Sequence, residues 1–219
     1  PDAVRKLDAL GLLGPDSDWV HATNLDDDEL KLIIDRGGSI TVAPECECNF
    51  GHGNPVTDRV VALGGTPSFG VDVESNVSGD LFSVLRFGLQ LARGYVADAN
   101  PRPTKELDRR YLTPVALEWG TIGNAMEDRI GSLTPGKQAD IILTRTDDIN
   151  ICPVHDPYQA LVFMATPFNV DTVMIAGEIR KKDGKLVYGD AALRDKLNRL
   201  TESGRRILDT AGVFKVAAE

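Results

Sequence analysis

The first hundred residues alternate between short apolar segments and helical patterns, and this alternation constrains the fold more than any other feature. Three apolar segments of strand length predict β-strands at residues 19–22, 39–42 and 67–71. Strands that alternate with helices at intervals of roughly 25 residues run parallel and are joined by right-handed crossovers. A closed barrel needs eight such units. The three units predict an open three-layer sheet or part of a larger barrel.

Helices are predicted at residues 4–13, 56–63 and 80–97, and a further one begins in the acidic run 24–29. Carboxylates suit the positive end of a helix dipole, and contiguous helical residues point in different directions. We therefore interpret the acidic run as a solvated helix start rather than a cation site. Residues 44–55 are predicted to form a long loop.

The second half of the chain changes character. A helix is predicted at residues 113–126, and strands at 139–143, 170–179 and 185–188, with a hairpin turn signal at Asp183-Gly184. A last helix is predicted at residues 190–208. We therefore divide the chain into a barrel segment at 1–130, a small β-rich domain at 131–189 and a C-terminal helix at 190–219.

Charge and cysteine content exclude several classes of protein. The chain has 33 acidic against 24 basic residues, which disfavours a nucleic-acid or anionic-membrane surface. It contains no apolar run of membrane-spanning length. Three cysteines are too few for a disulfide framework, so the expected location is the cytoplasm. The start at Pro1, without an initiator methionine, predicts a piece of a longer protein.

Asp72 follows the third predicted strand and precedes a loop of small and polar residues. The carboxyl ends of parallel strands form the functional face of α/β sheets and barrels. Asp72 is therefore a candidate metal ligand. Its position alone leaves a second interpretation open, in which it caps the helix that begins near Asp80.

Several segments together resemble the amidohydrolase superfamily, in its cytosine-deaminase-like and chlorohydrolase-like branch. The segments, spread over residues 7–190, are VHATNL at 20–25, PECECNFGHG at 44–53, GVDVESN at 70–76, GSLTPGKQAD at 131–140, VMIAGEI at 173–179 and DGKLV at 183–187. The resemblance implies strands six to eight of a (β/α)8 barrel, followed by part of a small β-sandwich domain.

The resemblance also implies roles for two residues. Asp72 would be a metal ligand and would take a proton from the metal-bound water, and His21 would contact the substrate or the attacking hydroxide. The metal would be zinc, with iron as the alternative. The implied reaction is hydrolysis of a C–N or C–Cl bond in a nucleobase-like or triazine-like heterocycle, most simply a deamination. Without the resemblance, His21 would be interpreted as a histidine of the barrel wall.

The family's other ligands are missing, because none of the three histidines forms the family's His-x-His pair. Zinc sites need three or four protein ligands, so we expect the C-terminal half of an enzyme, inactive alone. Glu45, Glu47 and His52 are candidate substrate contacts or residues of a solvated loop. Asn76 would orient substrate or cap the next helix. A structural zinc site of Cys46, Cys48 and His52 is disfavoured by its spacing and missing fourth ligand.

Two other functions remain open at this point. The chain could belong to a non-catalytic relative that has lost its ligands and acts by oligomerising, or it could be a self-standing α/β domain that binds a small ligand. The expected partners are a heterocyclic substrate and either the N-terminal half or further copies of the chain. An unpaired sheet edge, where strand five would pair, predicts association in solution.

Overall fold

The computed structural model describes residues 2–99, 108–125 and 128–212 and contains two sheets. The first sheet has three parallel strands in the order β1-β2-β3, namely β1 (Asp18–Val20), β2 (Ser39–Val42) and β3 (Ser68–Phe69). The second is an antiparallel meander of β4 (Ile141–Thr144), β5 (Val170–Ile175), β6 (Glu178–Lys182) and β7 (Lys185–Leu186). The protein is thus a mixed α/β structure. Within the described residues its parallel sheet does not close into a barrel.

Helices connect the parallel strands and flank the antiparallel sheet. They are α1 (Ala3–Ala9), α2 (Asp27–Asp35), α3 (Pro44–Phe50), α4 (Thr57–Ala62), α5 (Leu81–Ala99), α6 (Thr113–Trp119), α7 (Pro157–Gln159) and α8 (Asp190–Ala211). Short 3-10 turns cover Arg109–Tyr111 and Pro167–Asn169, and a π turn covers Ala160–Met164.

The start of α2 shows how local sequence sets an element. The Asp26 carboxylate accepts the Glu29 amide at 2.8 Å, and the Glu29 carboxylate reaches back to the Asp26 amide, which forms a capping box. Leu30 and Ile33 follow on one face and are completely buried. The predicted helix start is confirmed, because the acidic run satisfies the free amides of the first helical turn.

The core lies between the parallel sheet and its helices. Ile40 and Val42 of β2 are buried, as are Val60 of α4 and Val84 and Leu89 of α5, and all belong to one cluster. Burial of each such side chain contributes about 1.5 to 3 kcal/mol. The central strand and the helices on it therefore form a rigid base beneath the carboxyl ends of the strands.

The prediction of a loop over residues 44–55 is wrong, because residues 44–50 form α3. Pro44 lies at the first helical position, where its missing amide hydrogen is not needed. Glu45 and Glu47 lie in the first turn, next to the positive end of the helix dipole. Gly51 ends the helix in the left-handed conformation at φ 67°.

Several other predicted elements are shorter than expected, and the strands predicted at 67–71 and 185–188 are reduced to the two residues of β3 and of β7. The helix predicted at 113–126 ends at Trp119, and its last predicted residue lies outside the described residues. The strand predicted at 170–179 is divided by a turn at Ala176-Gly177, where both residues have positive φ. The helix predicted at 4–13 ends at Ala9, because the amide of Leu10 bonds within the last turn and Gly11 adopts a left-handed conformation.

A side chain occupies the outer edge of β3. The Asn124 Oδ1 accepts the Phe69 amide at 2.8 Å, and the Asn124 Nδ2 donates to the Phe69 carbonyl at 2.8 Å. The side-chain amide of Asn124 thus bonds to the two backbone groups of Phe69 that would otherwise bond to a neighbouring strand. The neighbouring Gly123 approaches the Pro67 carbonyl so closely that a Cβ atom there would collide with it.

The C-terminal part of the described chain is less buried. Helix α8 has no buried residue, although its sequence is amphipathic. Strand β4 exposes Ile142 and Leu143. All three cysteines are free. No helix among the described residues has the length and apolarity needed to cross a membrane.

Candidate active site

The parallel strands bring His21, α3 and Asp72 to one edge of the sheet. His21 directly follows β1, α3 follows β2, and Asp72 lies three residues after β3. Because the strands are parallel, their carboxyl ends lie side by side. The structure therefore brings together two residues, His21 and Asp72, that the sequence analysis selected on separate segments.

His21 is held by its backbone and by its Nδ1 atom, and its Nε2 atom faces a second carboxyl group. The strand predicted at 19–22 ends at Val20, because His21 and Ala22 have positive φ values of 69° and 54°. The His21 amide donates to the Thr41 carbonyl at 2.8 Å. The Nδ1 atom lies 3.1 Å from Glu47 Oε1, and the Nε2 atom lies 3.6 Å from Asp72 Oδ2. The imidazole thus lies between two carboxylates.

Glu47 is a completely buried carboxyl group on α3. Its Oε1 atom accepts the Ala43 amide at 2.9 Å as well as the contact from His21. Its Oε2 atom is buried without a hydrogen-bond partner among the described residues. Burial raises the pKa of Glu47, and the hydrogen bonds from Ala43 and His21 act in the opposite direction.

Asp72 lies in a left-handed backbone conformation with φ 64°, and its side chain is 34% exposed. The Cys46 thiol lies 2.7 Å from Asp72 Oδ2 and donates to it. Burial, followed by the nearby Asp72 carboxylate, raises the pKa of Cys46 to about 11, so the thiol stays protonated at neutral pH. Asp72 does not cap α5, because Asp80 does so by accepting the Ser83 amide at 2.9 Å.

The described residues do not form a complete metal site. Within 2–99, 108–125 and 128–212, no group of three or more His, Cys, Asp or Glu side chains is arranged to hold a metal ion. Asp72 and His21 would supply two donors at most, whereas zinc takes three or four protein ligands. A zinc ion at Asp72 would therefore need ligands from outside the described residues.

Two of the other predicted site residues, Glu45 and Asn76, lie at a cavity whose lining includes neither His21 nor Asp72. The Glu45 carboxylate accepts the Ser78 amide at 3.1 Å and the Ser78 hydroxyl at 2.6 Å. Glu45 and Asn76 line an open cavity of about 450 Å³, together with Cys48, Asn49, Val77, Ser78 and Phe87. Glu47, in contrast, has no exposed surface and does not reach this cavity.

His52 lies beyond the end of α3, on the His21 side of the site. Its ring stacks on Phe50 at 5.6 Å between centroids and meets the edge of the His21 ring at 6.0 Å. Its carbonyl accepts the Thr23 hydroxyl at 2.6 Å. His52 is exposed and could contact a ligand bound above His21.

Sequence reasoning missed Cys46 as a partner of Asp72 and Glu47 as a partner of His21. Both pairs are separated by 26 residues, so only the packing of α3 brings them together. The signal that could have located them was the helix itself, with Pro44 at its start and Gly51 at its end.

Comparison with known proteins identifies the family of the chain. The sequence profile of the amidohydrolase family matches residues 4–180. The chain belongs to the amidohydrolase family. The resemblance inferred from the sequence is thus confirmed, and the match extends over the whole parallel sheet and most of the antiparallel one.

Curated proteins that are similar to this chain include deaminases. The chain is 33% identical over 194 residues to 8-oxoguanine deaminase of Pseudomonas aeruginosa, covering 86% of this chain and 40% of the relative. It is 29% identical over 176 residues to 5-methylthioadenosine/S-adenosylhomocysteine deaminase of Teredinibacter turnerae, covering 80% and 39%. The chain therefore spans about two fifths of the length of these relatives.

Solved structures give the same result for the fold. The structure of an adenosine deaminase from Xanthomonas campestris with bound zinc matches with a TM-score of 0.78 and 28% identity, over 93% of this chain and 45% of that one. A mutant of atrazine chlorohydrolase from Arthrobacter aurescens, complexed with zinc and atraton, matches with a TM-score of 0.74 and 25% identity, over 90% and 43%.

Proposed function

We propose that this chain is the C-terminal part of a metal-dependent hydrolase that cleaves a C–N or C–Cl bond of a nucleobase-like or triazine-like heterocycle, most simply a deaminase. The observation that carries the proposal is the meeting of His21 and Asp72 at the carboxyl edge of the parallel sheet. Membership of the amidohydrolase family and the names of the relatives support the reaction class.

In this proposal β1, β2 and β3 correspond to strands six, seven and eight of a (β/α)8 barrel. The antiparallel sheet belongs to a small β-sandwich domain, with the division at residues 131 and 190 expected from the sequence. The remaining barrel strands and metal ligands come from outside the described residues. The chain alone is therefore inactive.

Asp72 would be the chain's metal ligand and its proton acceptor. A bound divalent metal supplies Lewis acidity and makes water a nucleophile at neutral pH. Asp72 is partly exposed at the end of its strand, where a carboxylate can both ligate and receive a proton. The Cys46 thiol, held protonated, donates to Oδ2 and fixes the direction of the carboxylate.

His21 would contact the substrate or the attacking water from the opposite side. Its Nε2 atom points towards Asp72 Oδ2, and its side chain is 30% exposed. The heterocycle would also contact His52, whose ring meets the His21 ring, and Glu45 and Asn76, which line a separate open cavity on α3. These groups offer acceptors and donors for the ring nitrogens and exocyclic groups of a heterocycle.

The test is ammonia release from aminated purines, pyrimidines and triazines in the presence of zinc. The protein is this chain, expressed with the coding sequence that precedes it in its gene. We expect activity that falls by about 10² to 10⁴ in Asp72→Asn, in line with loss of a proton-transfer group. The matched control is Asp80→Asn, which alters the α5 cap and not the site.

Activity that survives in Asp72→Asn would contradict the proposal. A protein that hydrolyses none of these heterocycles, even with the preceding sequence and zinc, would favour the alternative of a non-catalytic relative that acts by oligomerising. Sedimentation of that protein would then measure its oligomeric state.

A further inference from the structure

The buried carboxyl of Glu47 has no access to a substrate, yet it contacts His21 directly. A buried carboxyl group is destabilising unless its hydrogen bonds compensate for lost hydration. Glu47 retains only part of that compensation, since its Oε2 atom has no partner among the described residues. A group held in such an environment calls for a role that an apolar side chain could not fill.

The geometry around Oε1 determines which nitrogen of His21 carries the proton. Oε1 accepts the Ala43 amide at 2.9 Å, which makes it an acceptor before His21 is considered. If Glu47 is protonated, we place the proton on Oε2, which has no hydrogen-bond partner among the described residues. Oε1 is then the carbonyl oxygen of the acid and still accepts hydrogen bonds. In either state Oε1 accepts, so Nδ1 of His21 must donate.

We propose that Glu47 is a positioning residue, which holds the His21 imidazole as the Nδ1–H tautomer and directs the free lone pair of Nε2 towards Asp72. The inference rests on the proposed function, in which His21 contacts the substrate or the attacking water. In this inference Glu47 does not contact the substrate and acts only through His21.

The tautomer matters because of what faces Nε2. Asp72 Oδ2 lies 3.6 Å away and is itself an acceptor, already bonded to the Cys46 thiol. In the other tautomer, Nε2 would carry a hydrogen that faces Asp72 Oδ2, and it would have no free lone pair at this edge. With Nδ1 protonated, Nε2 and Oδ2 are two acceptors at one edge, and both can receive a hydrogen from a water molecule or a substrate N–H group.

The backbone supports the same orientation. His21 has φ 69°, a left-handed conformation that costs a residue with a side chain on the order of 1 kcal/mol. The hydrogen bond from the His21 amide to the Thr41 carbonyl, at 2.8 Å, stabilises this conformation. The side chain therefore leaves β1 at a fixed angle, and Glu47 fixes the remaining rotation of the ring.

The test is the ¹⁵N NMR spectrum of the histidine side chains in the 219-residue chain, which has only three histidines. The spectrum is recorded at alkaline pH, where imidazoles are neutral, and His21→Gln assigns the signal. We expect His21 to show a protonated Nδ1 and an unprotonated Nε2. Glu47→Leu removes the acceptor, and the His21 signal should change to the Nε2–H form that predominates in free imidazole.

Two further variants separate positioning from folding. Glu47→Gln keeps an acceptor oxygen and should retain the Nδ1–H signal even if Glu47→Leu fails to fold. Glu45→Leu changes a neighbouring carboxylate of α3 that bonds to Ser78 and should leave the His21 signal unchanged. His52 and His155 are exposed and serve as internal chemical-shift references, and the dispersion of the backbone amide signals shows whether each variant is folded.

An Nε2–H signal for His21 in the unmodified chain would overturn the inference, as would an unchanged signal in Glu47→Leu. The spectrum needs neither metal nor turnover, so its failure is distinct from failure of the proposed function. In an active protein, the same Leu variant should lower kcat by about 10² or more with a smaller change in KM, and the Gln variant should restore part of it.

Discussion

The two sheets of this protein differ in how far their apolar side chains are buried. In the parallel sheet, Ile40 and Val42 are buried beneath helices that the same hundred residues supply. In the antiparallel sheet, Ile142 is 51% exposed, and Leu143 and Leu186 are also exposed. One region thus supplies its own core, whereas the other carries apolar surface that the described residues leave uncovered.

The comparison explains why the candidate site lies where it does. Catalytic geometry requires side chains held within a fraction of an ångström by rigid elements. The parallel region provides this, since strand ends and α3 fix His21 and Glu47 against a packed core. The antiparallel region and α8 have surface for contacts rather than a site.

The largest expected effect is on the core of the parallel region. Ile33→Ala, at a completely buried position of α2, should lower the free energy of unfolding by about 2 to 5 kcal/mol. The matched Ile142→Ala, on the half-exposed face of β4, should lower it by less than about 1 kcal/mol. Urea denaturation measures both. Equal losses would remove the distinction between the two regions.

A smaller effect is expected at the edge of the parallel sheet. Asn124→Ala removes both hydrogen bonds to Phe69 and should lower the free energy of unfolding by about 1 to 3 kcal/mol. Hydrogen exchange at the Phe69 amide should increase as well. The control is Asn54→Ala at an exposed position. If Phe69 exchanges at the same rate in both variants, Asn124 does not hold this edge.

The next effect depends on pH. Burial raises the pKa of Glu47 above its ordinary value of 4.5, so the native protein binds this proton more tightly than the unfolded chain. The contribution of the carboxyl to stability is complete below pH 4.5 and is lost as the pH rises through the raised native pKa. The stability of Glu47→Gln relative to the unmodified chain should therefore increase from pH 4 upward.

Urea denaturation at several pH values measures this difference, with Glu178→Gln on the exposed face of β6 as the control. The control measures what a glutamate-to-glutamine substitution does at a surface position, so that the part due to burial of Glu47 can be separated. A difference for Glu47→Gln that is constant over pH would contradict the raised pKa.

The smallest expected effect concerns association through the uncovered surfaces. Leu197 and Leu200 of α8 are exposed, and Val20 is exposed at the unpaired edge of β1. We expect the chain to associate in light scattering at high concentration, and the double variant Leu197→Lys, Leu200→Lys to weaken association several-fold with an unchanged free energy of unfolding. A monodisperse monomer at high concentration would contradict this expectation.

Much of the parallel region could be predicted from the sequence because its signals are local. Ile40 and Phe69 lie in apolar segments between helical patterns, and parallel connections place the segments' ends together. The meeting of His21 and Asp72 followed from that topology. Helix α3 was missed because Glu and Cys were taken as loop residues, although Pro44 and Gly51 mark a helix.

The contacts that complete the site could not be predicted, because they depend on packing between distant segments. Glu47 and His21 are 26 residues apart, and Asn124 and Phe69 are 55 apart. No local sequence pattern predicts that the Glu47 side chain is buried next to His21, or that the Asn124 side chain bonds to the edge of β3. The exposure of α8 could not be predicted either. An amphipathic sequence predicts that one face of a helix is buried, but it does not identify what covers that face.

The most direct test of the central claim is the zinc content of the protein that contains this chain with its preceding coding sequence, compared between the unmodified form and Asp72→Ala. Elemental analysis after dialysis gives the value. We expect stoichiometric zinc in the unmodified protein and its loss in the variant, because the proposed function makes Asp72 a zinc ligand at the carboxyl edge of the parallel sheet. Equal zinc in both proteins would contradict the account.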